Sequence, residues 1–256
     1  SKDRFFFDTC TIPCSLPLNL VKESLRLPVA SVRREGQPML IEGDIAIDSE
    51  AERNADPCTS SYCKWGKYTD GKVYVPTTSP TTSVTSREKS IITRGLESFS
   101  SFSCIRFRPT RSTDRDWLSI ESQDGCWSFV GRRGGKQVVS LARSGCLYHN
   151  TVQHELLHAL GFNHEQTRSD RDNHIRVLLE NVVSGMEHNF RKIATLNQGT
   201  PYDYGSVMQY FRTAFSKNGQ PTMVPIPDPN VSLGNAQQMS SNDIKRLNSL
   251  YKCCEC

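Results

Sequence analysis

Three stretches of the chain repeat apolar positions with a helical period. In SREKSIITRGLESFSSF, residues Ile91, Ile92, Leu96 and Phe99 share one stripe, and Ser86 stands where an N-cap is needed. Val182, Val183, Met186 and Phe190 predict a helix over roughly 179–192, and Ile244, Leu247 and Tyr251 predict one near the C-terminus, capped by Ser240 or Ser241. Strand-length apolar runs occur at Trp117–Ile120 and Gln137–Leu141. A further helix is expected at 152–160. Strands and helices mix before that helix, and mainly helix and loop follow it. This predicts an α+β fold without internal repeats.

Two segments break the pattern. TTSPTTSVTS (77–86) reads as a polar loop. Residues 1–53 hold prolines at 13, 17, 28 and 38, an acidic stretch DIAIDSEAER and little periodicity, so they read as a segment apart from 54–256. Its last residue, Arg53, precedes the turn-prone Asn54-Ala55-Asp56-Pro57 and forms a candidate cleavage point for a trypsin-like protease.

Composition narrows the class. At 256 residues with 36% hydrophobic and 23% charged, the chain can build a sizeable core unaided. No stretch approaches the roughly 18 apolar residues of a membrane helix. The net charge of +4 divides into −2 over 1–53 (7 basic, 9 acidic) and +6 over the remainder. That excess suits an acidic macromolecular substrate. It is too scattered for nucleic acid, and there is neither a basic helix nor an aromatic platform. Ten cysteines, clustered as Cys10/Cys14, Cys58/Cys63 and Cys253/Cys254/Cys256, point to disulfides and an oxidising compartment. The composition alone leaves their pairing open.

The chemistry lies in HELLHALGFNHEQTRSDRD (154–172). His154 and His158 sit four residues apart, about 40° from each other on a helix, and face one way. His164 would point roughly 120° away from His158 if the helix continued. Gly161 can take a positive φ, end the helix and return His164 to the other two. Three imidazoles then suit one zinc ion, leaving a position open. Glu155, beside His154, is placed to accept a proton from an attacking water rather than to ligate. This is the metzincin pattern H-E-x-x-H-x-x-G-x-x-H. Met208, in Tyr204-Gly205-Ser206-Val207-Met208-Gln209-Tyr210, supplies the Met-turn methionine that accompanies it.

These residues, together with PYDYGSVMQY, resemble the astacin family of zinc endopeptidases over approximately residues 54–253. GRRGGKQVVSL, SGCLYH and LNSLYKC bring the chain nearer to the fish six-cysteine, hatching-enzyme type. The resemblance implies a two-lobed catalytic domain with a mixed sheet and an active-site helix, preceded by a pro-segment. It implies one zinc per chain, Tyr210 as an additional ligand that swings away to stabilise the transition state, and Trp127-Ser128-Phe129 as the strand that binds substrate. It further implies disulfides Cys104–Cys253, Cys126–Cys146 and Cys58–Cys63. The family's usual His between Met and Tyr is Gln209 here.

Met39-Leu40-Ile41-Glu42-Gly43-Asp44-Ile45 is similar to the family's F-x-G-D pro-segment motif, with Ile41 in place of Phe. By that likeness Asp44 is an inhibitory ligand to the zinc. Cleavage after Arg53 would release it and expose Asn54 as a terminus that pairs with Glu165. The expectation is a secreted, monomeric endopeptidase, held in secretory granules and then outside the cell. Its partners would be an activating trypsin-like protease and protein substrates such as egg-envelope glycoproteins, with no nucleic acid or membrane among them. The competing reading is a zinc-containing binding module without catalysis.

Overall fold

The computed structural model describes residues 37–48, 58, 60–78 and 85–253. Arg53, Asn54, Cys10, Cys14, Cys254 and Cys256 lie outside the described residues. From Pro38 onward the chain forms one compact unit.

Two short strands open it: β1 (Met39–Ile41) and β2 (Ile45–Ile47), joined through Glu42-Gly43-Asp44 as an antiparallel hairpin. Next come β3 (Val73–Thr78), helix α1 (Ser86–Ser98), β4 (Ile105–Pro109), β5 (Trp117–Glu121), β6 (Cys126–Phe129) and β7 (Lys136–Leu141). These seven strands form a sheet in the order β1-β2-β6-β7-β5-β3-β4. The β2–β6, β7–β5, β5–β3 and β3–β4 pairings are parallel, whereas β1–β2 and β6–β7 are antiparallel, so the sheet is mixed as expected. Alternation along the strands buries Val73, Val75, Leu118, Ile120 and Val139 against α1, α2 (His149–Ala159) and the C-terminal α3 (Ser241–Tyr251).

The helix ends follow local rules, with one shift. Thr85, not Ser86, caps α1: its hydroxyl accepts the Glu88 N–H and the Glu88 carboxylate accepts the Thr85 N–H, a capping box. Ser240 and Asp243 make the same reciprocal pair at α3. The polar 77–86 stretch is shorter as a loop than expected, because Thr77 and Thr78 finish β3 and Ser86 opens α1.

After the His-rich run the chain forms a second core around Ile175, Val182, Phe190, Tyr202, Tyr210 and Met223. With the first core this supplies the two lobes. The helix expected over 179–192 does not form. Single 3-10 turns at Leu179–Asn181 and Glu187–Phe190 flank Gly185, whose φ of +88° a helix cannot accommodate. β-branched Val182 instead bridges to Ser216, and the Val183 N–H donates to the Phe215 carbonyl. Val182 and Phe190 remain buried, so the apolar pattern correctly marked a core but not its backbone. A two-stranded sheet, β8 (Ile175–Val177) with β9 (Met223–Pro225), completes this lobe, where mainly helix and loop were expected.

Among the described residues, three disulfides join Cys58–Cys63, Cys104–Cys253 and Cys126–Cys146. Among the described residues, no helix is long and apolar enough to cross a membrane.

Candidate metal centre

The site begins with the end of α2. Gly161 has φ +103°, its N–H donates to the His158 carbonyl and the Phe162 N–H donates to the Leu157 carbonyl, which together form a Schellman turn. That turn ends the helix and frees the chain to return His164. A Cβ on Gly161 would lie 2.9 Å from Cys58 Sγ, so the Cys58–Cys63 disulfide packs directly on the bend.

The three imidazoles converge. His158 Nε2 and His154 Nε2 are 3.1 Å apart, and the donor atoms of His154, His158, His164 and Asp44 all lie within 4.8 Å of one another. Each opposite ring nitrogen is held. His154 Nδ1 donates to the Val207 carbonyl at 2.8 Å, and His158 Nδ1 donates to the Phe162 carbonyl at 2.7 Å. A carbonyl can only accept, so both Nδ1 atoms carry a proton, and each of these rings, when neutral, turns its Nε2 lone pair to the centre. Val207 is itself positioned by α3, because the buried Asp243 carboxylate accepts the Val207 N–H at 2.9 Å and the Ser206 hydroxyl at 2.6 Å.

Asp44 enters from the β1–β2 hairpin. Its Oδ2 lies 3.0 Å from His154 Nε2 and 3.2 Å from His164 Nε2. Its Oδ1 lies 3.1 Å from His164 Nε2 and 3.8 Å from His158 Nε2, without a well-directed hydrogen bond among the described residues. Burial pushes the Asp44 carboxyl up, but the charge of His164 and hydrogen bonds from both rings overcome it and hold the group well below the usual range. His158 is pushed well below the ordinary imidazole value by burial and by the neighbouring rings. His164 is lowered by burial but raised more strongly by Asp44 and Glu42, to about 9. The centre is thus a ring of three nitrogens and one anionic oxygen that draws positive charge to itself. A buried carboxylate and three imidazoles whose Nε2 atoms all face one point fit a divalent, nitrogen-preferring cation such as zinc.

Glu155 is buried behind these ligands, and its Oε2 has no hydrogen-bond partner among the described residues. Burial, and then the Asp44 charge, raise its carboxyl well above the usual range. The Tyr210 ring packs 4.4 Å, centroid to centroid, from His164, while its hydroxyl donates to the Glu42 carbonyl. Burial, followed by the two carboxylates, pushes that phenol well above its ordinary value. Met208 is buried in the first core, and its carbonyl accepts the Glu165 N–H at 2.9 Å. The unusual Gln209 is also accommodated: it accepts the Tyr202 hydroxyl at 2.6 Å and donates to the Tyr210 carbonyl at 3.1 Å.

Trp127-Ser128-Phe129 forms β6 beside the centre, but not at a free edge. β2 pairs with it in parallel, with Ile45 opposite Ser128, and the Ser128 N–H donates to the Asp44 carbonyl at 2.9 Å. Glu165 is buried against Arg246, which reaches it with both terminal guanidinium nitrogens, Nη2 at 2.9 Å. The Asp203 N–H adds a bond at 2.7 Å.

Sequence reasoning missed Glu42, Arg246 and Asp243 as members of this region. Asp243 carried a signal, as the fourth residue of a capping box, and Glu42 stood inside the hairpin motif. Arg246 carried none, because its partner lies on another element 81 residues away.

The family model for astacin, described as a peptidase family, matches residues 68–252. The low choriolytic enzyme of Oryzias latipes is 47% identical over 216 residues, covering 84% of this chain and 78% of that one. High choriolytic enzyme 1 of the same fish is 44% identical with the same coverage. Its solved structure, described as a hatching enzyme zinc-protease, superposes with a TM-score of 0.74 over 78% of this chain and all of that chain. The chain belongs to the astacin family of zinc metalloendopeptidases.

Proposed function

We propose that this chain is the latent form of a secreted endopeptidase whose residues 1–53 block the zinc site, and that cleavage after Arg53 releases it to digest extracellular proteins of the egg-envelope class. The observation that carries the latency is Asp44, whose carboxylate stands among the three imidazoles. Two further contacts support it. β2 occupies the β6 edge that a substrate backbone would need, and Glu42 holds the Tyr210 hydroxyl. The egg-envelope class rests on the likeness to the choriolytic enzymes.

His154, His158 and His164 would hold zinc, with Asp44 as a fourth ligand in the latent chain. Zinc when bound supplies Lewis acidity, which acidifies water and polarises a carbonyl. Once the hairpin leaves, β6 binds the substrate main chain in extended form. Glu155 takes a proton from the attacking water and returns it to the leaving amine, a task suited to a carboxyl kept from full solvation. The Tyr210 hydroxyl, no longer held by Glu42, donates to the oxygen on which negative charge develops. At Glu165, the terminus at Asn54 would join a carboxylate that already has Arg246, so the new ammonium adds to an ion pair rather than neutralising a lone charge.

Casein hydrolysis tests the reading. It should appear only on cleavage after Arg53, vanish with a zinc chelator, and fall by about 10²–10⁴ in Glu155→Gln. Near-normal turnover by that variant would sink the mechanism. An Arg53→Gln chain that matures normally would sink the cleavage point. A cleaved, zinc-loaded chain that hydrolyses nothing would favour the binding-module reading.

A further inference from the structure

Asp44 accounts for only part of the hairpin's grip. Glu42, two residues earlier, makes three separate contacts with the catalytic lobe. Its N–H donates to Asn189 Oδ1 at 2.9 Å, its carbonyl accepts the Tyr210 hydroxyl, and its carboxylate Oε2 accepts His164 Nδ1 at 2.6 Å. The residue is buried at 7% exposure and holds φ at +53°, a conformation that non-glycine residues seldom adopt. Gly43 follows at φ +88°. Two successive left-handed residues turn the chain so that the Glu42 and Asp44 side chains reach opposite nitrogens of the same imidazole.

The asymmetry among the three histidines gives this contact its meaning. His154 and His158 take their Nδ1 partners from Val207 and Phe162, main-chain carbonyls of the catalytic lobe itself. The His164 partner comes from the hairpin. A carboxylate on the far nitrogen of a ligating imidazole fixes its tautomer, orients the ring and raises its basicity toward the ion. We propose that the catalytic lobe contains a recognition site for a peptide carrying two carboxylates in the order Glu-x-Asp. In that site Glu42 completes the hydrogen-bond shell of His164, so that the latent chain binds zinc more tightly than Asp44 alone would make it do. Asn189 and Tyr210 read the backbone of the Glu, and His164 Nδ1 reads its side chain. Removal of the hairpin withdraws the partner of His164 and frees the Tyr210 hydroxyl in one step. This inference rests on the latent zinc-site reading above and adds a second anchor to it.

The test uses the intact chain, with zinc affinity measured by chelator competition and hairpin amide exchange followed by mass spectrometry. Intactness is checked in each sample. Glu42→Gln keeps the shape and an acceptor but removes the charge; Glu42→Ala removes the acceptor. Asp44→Asn is the comparator. Glu42→Ala is expected to raise the zinc Kd by about 10–100-fold, the usual cost of losing such a partner. Glu42→Gln should fall between it and the parent chain, and exchange at 39–47 should quicken in both. A small quenched peptide should also be hydrolysed faster by intact Glu42→Ala than by the intact parent. If Asp44→Asn weakens zinc binding while both Glu42 variants keep the parent Kd and exchange, the second anchor is overturned and the latch reading stands. If the parent chain binds no zinc, the underlying reading fails instead. A Glu42→Ala chain that loosens through strain alone is recognised because Glu42→Gln, with the same backbone demands, would then keep the parent affinity, and that outcome also counts against the proposal.

Discussion

Gly161→Ala perturbs the bend on which the metal centre depends. At φ +103° any side chain strains the backbone, at a cost of about 1–3 kcal/mol. The added Cβ would also stand 2.9 Å from Cys58 Sγ and 3.2 Å from Cys58 Cβ. Overpacking of this kind costs a further 1–3 kcal/mol or so. If the fold absorbs both, the loss is about 2–6 kcal/mol, and at roughly 2–4 °C per kcal/mol the melting temperature falls by on the order of 4–24 °C. If the turn relaxes instead, the Schellman bonds of Gly161 and Phe162 open, and the Phe162 carbonyl leaves His158 Nδ1. Zinc affinity then falls. Gly71→Ala is the matched control, with φ +77° and nothing within 4 Å of the new Cβ, so it reports backbone strain alone. Thermal denaturation with and without zinc, beside chelator competition, reads both outcomes. A Gly161→Ala chain indistinguishable from Gly71→Ala in melting temperature and zinc affinity would refute the reasoning.

Two other outcomes are expected. Arg246→Met leaves the buried Glu165 carboxylate with the Asp203 N–H and with Arg168 at 3.5 Å, and should destabilise the chain by about 3–5 kcal/mol in denaturant unfolding. A double variant with Glu165→Gln should recover part of the loss, and parent-like stability of the single variant would show the pair to be dispensable. Hydrogen bonds from Arg143 and the Thr85 N–H lower the Glu88 carboxyl from 4.5 to about 2. A depressed folded value means that this stabilisation is complete above about pH 4.5 and is lost as pH falls toward 2. Glu88→Gln should therefore melt lower than the parent at pH 7, with the gap closing below pH 4.5; a gap independent of pH would contradict the assignment.

How much of this was legible in the sequence depended on whether the signal was local. The spacing of His154, His158 and His164 with Gly161 between them is a local pattern, and the bend it predicts is the bend the structure contains. The C-terminal helix and the strands at 117–121 and 136–141 were equally local. The 179–192 stretch misled because apolar spacing reports burial whatever backbone delivers it, and Gly185 with two adjacent valines outweighed the period. The contacts of Glu42 and Arg246 were invisible for another reason: their partners, His164 and Glu165, are 122 and 81 residues away, and only the folded chain brings them together.

A crystal structure of the intact, zinc-loaded chain tests the central assignment most directly. It should place one zinc on the Nε2 atoms of His154, His158 and His164 with an Asp44 carboxylate oxygen as the fourth ligand. A zinc that leaves out His164, or an Asp44 turned away from the ion, would contradict it.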